Sequence, residues 1–141
     1  MSSKILVDEL AGKTATGNIT VTGEGGTGTM QLQQGLLKAW VNYDNNTSLA
    51  VEDSLNVSSG TDEDLGNTSI ALTNSFSNAN FCQTMGTGDN GRVWSVGHAL
   101  ATTDTSSRKT TSGTWLHTTN GTAGTAGDLD ENNIMMSGDL A

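Results

Sequence analysis

The first spacing in this chain that could carry chemistry is a run of glycines. Gly23, Gly25 and Gly28 fit the G-x-G-x-x-G pattern of a dinucleotide-binding turn, and Asp44 follows at about the distance of a ribose-binding acid. Such a site needs a helix that opens at the glycine turn within a βαβ unit. The segment that follows here is polar and then returns to a β pattern, and a chain with 18 glycines matches this spacing by chance. We therefore predict no cofactor.

Two acidic segments resemble parts of a calcium loop. Asp128, Asp130 and Asn132 occupy its first three ligand spacings, but the glycine and the bidentate glutamate that the loop requires are both missing. A second cluster of three acids lies at residues 62–64. We expect both segments to be solvated loops, with calcium binding as the alternative, and we assign no metal ligand.

The residues that could act as nucleophiles or zinc ligands form no known pattern. His98 and His117 lie on separate predicted strands without a zinc-binding spacing, so we expect structural roles for both. Ser95 lies close to His98 but lacks the elbow turn and oxyanion hole of a hydrolase. Cys82 is the single cysteine, and we expect it to be a small buried hydrophobe. The sequence predicts no enzyme.

Three tryptophans could contribute to binding. Exposed tryptophans on a β-sandwich can stack on sugar rings, whereas tryptophans in alternating strands more often lie in the core. We interpret Trp40 as a core or interface residue. Trp94 and Trp115 are the candidates for recognition of a host cell-surface glycan.

The clearest structural pattern is at residues 36–59, where almost every other residue is apolar. This period of two is typical of strands with one dry and one wet face, and the turn-forming residues at 44–47 separate two such runs. The segment predicts a β-hairpin or meander. The residues expected on the dry face are Leu37, Ala39, Val41, Tyr43, Leu49, Val51, Leu55 and Val57.

Similar short apolar runs continue along the chain. Thr, Ser, Asn and Gly make up nearly half of the 141 residues, which disfavours helices and suits strands joined by tight turns. We predict an all-β fold, an antiparallel, jelly-roll-like β-sandwich at residues 30–141. Residues 1–29 are predicted to be an extended N-terminal arm, in which Ile5, Leu6 and Val7 are candidate assembly contacts.

The charge and hydropathy exclude several partners. Six basic residues are scattered against 15 acidic ones, a formal net charge of −9, so nucleic acid would be repelled. No segment approaches the ~20 apolar residues of a membrane span, and no secretory signal is visible. We therefore expect no membrane insertion. Release by lysis as part of a virus particle fits these observations.

Several segments resemble one family of phage proteins. They are Lys38-Ala39-Trp40-Val41-Asn42-Tyr43 and Ser54-Leu55-Asn56-Val57-Ser58-Ser59, together with Ile5-Leu6-Val7-Asp8 near the start and Gly138-Asp139-Leu140-Ala141 at the end. The chain resembles the short tail-fibre-like or virion structural proteins of marine bacteriophages and cyanophages. The similarity is densest at residues 38–81.

This resemblance implies a β-rich, oligomeric, non-enzymatic component of the phage particle. On that basis we expect a tail-fibre or spike component on the particle surface that forms a homotrimer, contacts other virion proteins and reaches the host surface. One alternative is a decoration protein that stabilises the head. A second alternative, from another class, is a carbohydrate-binding module.

Overall fold

The computed structural model describes residues 6–11, 19–23, 25–88, 94–98, 109–120 and 125–141, and for residues 94–98 it describes the backbone alone. The chain divides into two compact units, Met1–Leu36 and Leu37–Ala141. This division falls after residue 36, whereas the predicted boundary lay between residues 29 and 30.

The first unit contains a small β-hairpin. Strands β1 (Thr20–Thr22) and β2 (Thr29–Gln31) pair antiparallel, and a single helical turn, α1 (Leu32–Gly35), follows β2. The glycine-rich segment forms the connecting turn, in which the Gly23 amide donates to the Gly28 carbonyl at 2.7 Å. These glycines close a hairpin and do not open a helix after a strand, so the geometry of a dinucleotide site is not formed there.

The second unit consists of eight strands in two four-stranded antiparallel sheets. The first sheet has the strand order β4-β3-β10-β7 and the second β5-β6-β9-β8. The strand bounds are β3 (Ala39–Asp44), β4 (Ala50–Leu55), β5 (Val57–Asp64), β6 (Asn67–Leu72), β7 (Cys82–Gly88), β8 (Trp94–His98), β9 (Gly113–Asn120) and β10 (Glu131–Ser137).

The core lies between these two sheets. The first sheet contributes Ala39, Val41, Tyr43, Ile134 and Met136, and the second contributes Ile70, Leu72 and Leu116. Each set occupies alternate positions of its strand, as expected for sheets with one buried face. The predicted all-β fold and β-sandwich are confirmed.

The hairpin predicted at 36–59 is confirmed, but its dry face is only partly as expected. Ala39, Val41 and Tyr43 are buried, whereas Leu55 is 47% exposed. A bulge between Asn42 and Tyr43 shifts the register of β3 against β4, which reverses the side-chain alternation along β4. The assignment of Leu55 to the dry face was therefore wrong.

Three further residues of the sequence analysis are placed differently from expectation. Leu37, which precedes β3, and Val51 on β4 are 42% and 39% exposed, although both were expected on the dry face. Cys82 is exposed, whereas we had expected it to be buried. The neighbouring Phe81 is 3% exposed and stacks on Phe76 at 4.3 Å, so the alternation of the chain directs Cys82 to solvent.

Candidate functional site

The outer face of the first sheet carries a group of apolar side chains around Trp40. Trp40 alternates with the buried Ala39 and Val41, so it lies on the face away from the core. Leu55 on β4 and Met135 on β10 are directly opposite Trp40 in the two neighbouring strands. Because opposite residues in an antiparallel pair share a face, all three project outward in one row.

These side chains reach solvent. Leu55 and Met135 are 47% and 49% exposed, the adjacent Leu37 is 42% exposed, and Trp40 is half-buried. Leu37, Trp40 and Met135 line a shallow depression of about 290 Å³. We refer to Leu37, Trp40, Leu55 and Met135 as the outer strip.

Uncharged amides lie along one side of the outer strip. The Asn42 Nδ2 atom donates to Glu52 Oε2 at 3.0 Å, which holds this asparagine across the face of the sheet. Asn133 covers the backbone of Gly86, where an added Cβ atom would lie 2.7 Å from Asn133 Oδ1. An apolar centre with a polar rim is the usual anatomy of a protein–protein contact. The outer strip itself contains no ionisable group.

The candidate assembly residues of the arm lie in the first unit. Leu6 and Val7 are 78% and 59% exposed, and Leu10 is 59% exposed. Ile5 lies outside the described residues. The described part of the arm therefore presents apolar side chains to solvent.

The candidate recognition residues Trp94 and Trp115 lie on the second sheet. Trp115 is half-buried, lies opposite Ser69 and lines a shallow depression of about 160 Å³ together with Thr110 and Ser112. Trp94 pairs with Asn120, five residues along β9 from Trp115 and so roughly 17 Å away along the strand. The backbones of the two tryptophans are therefore well separated on this sheet.

Of the two histidines, only His117 has a described side chain, and it bonds an asparagine. His117 Nδ1 lies 2.9 Å from Asn67 Oδ1, while the side chain of His98 is outside the described residues. Within the described ranges, no group of three or more His, Cys, Asp or Glu side chains lies at metal-binding spacing. The same ranges contain no helix that is long and apolar enough to cross a membrane.

The sequence analysis missed Leu55 and Met135 as members of this surface. A signal existed for Met135: Ile134, Met135 and Met136 are three consecutive apolar residues, and in a strand one of them must face away from the other two. Leu55 had no such signal, because its direction depends on the bulge opposite Asn42.

No family model, curated protein or solved structure matches this chain.

Proposed function

We propose that this chain is a non-enzymatic structural protein of a bacteriophage particle, a tail-fibre or spike-like component that is exposed on the particle and assembles through contacts between copies. The observation that carries the proposal is the outer strip, a row of exposed apolar side chains on a sheet whose other face already fills the core. Contiguous exposed apolar groups of this kind mark interaction sites. Residues 38–81 resemble phage virion structural proteins, and this resemblance is the reason for proposing a phage particle as the location.

A second copy of the same chain is the occupant that we propose for the outer strip. A formal net charge of −9 makes two copies repel each other, so they can approach closely only through surface of low charge. Trp40 lies at the start of β3, and Asp44 at its end is roughly 13 Å away. The Glu52 carboxylate, bonded to Asn42, and Asp53, opposite Asn42, lie two residues along the sheet from Trp40, at the edge of a contact centred on the outer strip.

The arm provides the second part of the proposed assembly. Leu6, Val7 and Leu10 expose apolar side chains that would be stabilised by packing against another copy. A homotrimer joined by such arms is the form that the resemblance favours for a fibre or spike. Other virion proteins are the remaining partners in this proposal.

A carbohydrate-binding module is the second candidate, and Trp115 is the observation that favours it. This half-buried tryptophan lies in a depression lined by hydroxyl side chains, including Ser69, Thr110 and Ser112. An aromatic ring beside hydroxyl groups is suited to stacking and hydrogen bonding with a sugar. Binding of a soluble host glycan that is lost in Trp115→Ala and retained in Trp40→Ala would favour this candidate over pure assembly.

The location on the particle is tested by gold-labelled antibodies on intact phage particles that carry the gene. Label on the tail or its fibres is the expected result. Label over the whole head would replace the fibre assignment by the head-decoration alternative. Absence of the protein from purified particles would contradict both.

The oligomeric state is tested by light scattering of the purified chain. A mass of about three chains is expected if the arm and the outer strip join copies into a trimer. A monomer across the accessible concentration range would contradict assembly through these surfaces.

A further inference from the structure

The formal charge of the chain is distributed unevenly between its two units. Met1–Leu36 carries two basic and three acidic residues, whereas Leu37–Ala141 carries four basic and twelve acidic ones. The first unit therefore has a formal charge of −1 and the second a formal charge of −8. Since like charges oppose close approach, two copies of the second unit repel each other far more than a first unit repels a second unit.

The acids beside the outer strip oppose contact between two outer strips. Glu52 is bonded to Asn42, and Asp53 lies opposite Asn42, two residues along β3 from Trp40. Two outer strips in contact would bring these carboxylates from both copies to one interface. A carboxylate that loses its water without gaining a cationic partner is costly to bury. The charges therefore favour an occupant that brings no net negative charge to the outer strip.

The start of the chain contains an apolar segment that meets this requirement. Leu6, Val7 and Leu10 are all more than half exposed, and we refer to residues 6–10 as the arm segment. Residues 1–13, which include the arm segment, hold two lysines against one aspartate and one glutamate, so their side chains sum to a formal charge of zero. An exposed apolar segment in such surroundings can approach an acidic surface without net repulsion.

The arm segment and the outer strip also match in size. Leu55, Trp40 and Met135 lie in one row across three neighbouring strands, so the row is roughly 10 Å long. Leu6 and Leu10 are four residues apart, a distance of at most roughly 14 Å. The depression beside Trp40 has a volume of about 290 Å³, and a cavity of about 150 Å³ holds a benzene molecule. The depression therefore has room for two aliphatic side chains.

Symmetry distinguishes two ways of joining copies through the outer strip. Contact of the same surface on both copies is isologous and closes with two chains, whereas contact between two different surfaces is heterologous and can close a ring of three. A homotrimer therefore requires two different surfaces. The arm segment and the outer strip are such a pair, one on each unit of the chain.

Given the homotrimer of the proposed function, on which this step rests, we infer that the arm segment of one copy packs on the outer strip of the next copy. Each copy donates its arm segment to one neighbour and receives the arm segment of the other. The apolar side chains of the arm segment cover Trp40 and Met135 and exclude water from them. Glu52 and Asp53 are exposed and stay hydrated at the edge of this contact.

Disulfide cross-linking between full chains that each carry one cysteine tests this contact. The single cysteine, Cys82, is exposed and is first replaced by serine. Chains with Leu6→Cys and chains with Met135→Cys are then refolded together and oxidised, and we expect a disulfide between the two kinds of chain to be the main product. Thr61→Cys, on an exposed residue of the second sheet, is the matched control for Met135→Cys. It should link to Leu6→Cys at least about 10-fold less, because cysteines bridge only over short Cα distances.

Light scattering of the same samples separates failure of this inference from failure of the proposed function. An oligomer in which Met135→Cys links mainly to itself would indicate contact between two outer strips and would overturn the inference alone. An oligomer in which Leu6→Cys links no better to Met135→Cys than to Thr61→Cys would also overturn the inference alone. A monomer would contradict both the inference and the proposed assembly.

A double-substitution cycle measures the same contact without cysteines. Leu6→Ser and Met135→Ser should each weaken trimer formation at least about 10-fold, because each removes a large apolar side chain from the buried contact. The two together should weaken it by less than the product of the separate factors, since both remove parts of one contact. Val21→Ser is the control: Val21 is 42% exposed on β1, outside the arm segment. It should change the affinity by less than about 2-fold. Full multiplication of the Leu6 and Met135 factors would overturn the inference.

Discussion

The side chain of Asn56 is hydrogen-bonded to Asn74 through three contacts. Asn56 Oδ1 accepts the backbone amide hydrogen of Asn74 at 2.7 Å and its side-chain Nδ2 hydrogen at 3.0 Å, while Asn56 Nδ2 donates to the Asn74 carbonyl at 3.0 Å. Asn56 is the single residue between β4 and β5, which belong to different sheets, and its φ is 59°. This asparagine therefore forms the corner at which the chain passes from one sheet to the other.

Two substitutions of Asn56 should separate the effect of its backbone conformation on stability from the effect of its side-chain hydrogen bonds. Asparagine tolerates the left-handed conformation better than most residues, and glycine adopts it without strain. We expect Asn56→Gly to lower the free energy of unfolding by about 1 kcal/mol through the lost, solvent-exposed hydrogen bonds. Asn56→Ala should lower it by about 2–3 kcal/mol because backbone strain is added. Urea denaturation measures both, and equal losses in the two variants would contradict a role for the backbone conformation.

Charge placed in the outer strip should dissociate the proposed assembly. Trp40→Lys puts an ammonium group between Leu55 and Met135, and burial of that charge between two copies would cost several kcal/mol. Trp115→Lys is the matched variant, since Trp115 is also half-buried on an outer face but belongs to the other sheet. Sedimentation velocity should show smaller species for Trp40→Lys and the original species for Trp115→Lys. The opposite pattern would move the assembly surface to the second sheet.

Two glycines should differ sharply in their tolerance of alanine. Gly66 has a φ of 71°, and a Cβ atom there would lie 2.6 Å from the Thr118 carbonyl oxygen and 2.9 Å from the Gly127 nitrogen. Since both neighbours are backbone atoms, Gly66→Ala should cost more than about 3 kcal/mol.

Gly86→Ala is the comparison for this prediction. Its Cβ atom would meet Asn133 Oδ1 at 2.7 Å, but Asn133 is exposed and its side chain can turn aside. We expect a cost below about 1 kcal/mol. Thermal unfolding of both variants checks the contrast, and similar midpoints would show that the backbone around Gly66 can move.

Deprotonation of Tyr43 should lower the free energy of unfolding at high pH. Burial raises the pKa of its hydroxyl from 10.0 to about 12, and the hydrogen bond with Thr68 opposes part of that shift. Below pH 10 the hydroxyl keeps its proton in the folded and the unfolded chain. The contribution of Tyr43 to the free energy of unfolding is therefore fully present there. Between pH 10 and about 12 the unfolded chain loses the proton first, and about 3 kcal/mol of stability is lost across this window.

The titration of Tyr43 can be observed directly because the chain contains one tyrosine. Near-ultraviolet absorbance of the tyrosinate ion should show a midpoint near 12 in the folded chain and near 10.0 in urea. Tyr43→Phe should remove this part of the pH dependence of unfolding. A folded-state midpoint near 10.0 would mean that the ring is open to solvent.

The strands were predicted well wherever burial alone decides the direction of a side chain. Ala39, Val41 and Tyr43 alternate in the sequence and are buried in the structure, because a strand with one dry face requires that period. The prediction failed at Leu55, since one bulge is enough to reverse the alternation and a bulge has no regular sequence pattern. It failed at Cys82 because the neighbouring Phe81 takes the core position.

The sequence by itself determined that this chain forms short antiparallel strands, because side-chain period and turn chemistry are local properties. Only the tertiary structure decided which residues from distant segments meet. Leu55 and Met135 join Trp40 because β4 and β10 flank β3, and Asp62 on β5 and Asp128 before β10 both lie within 3.4 Å of the Asn45 Nδ2 atom. Contacts between distant segments depend on strand order and register, which are set by the packing of the whole core.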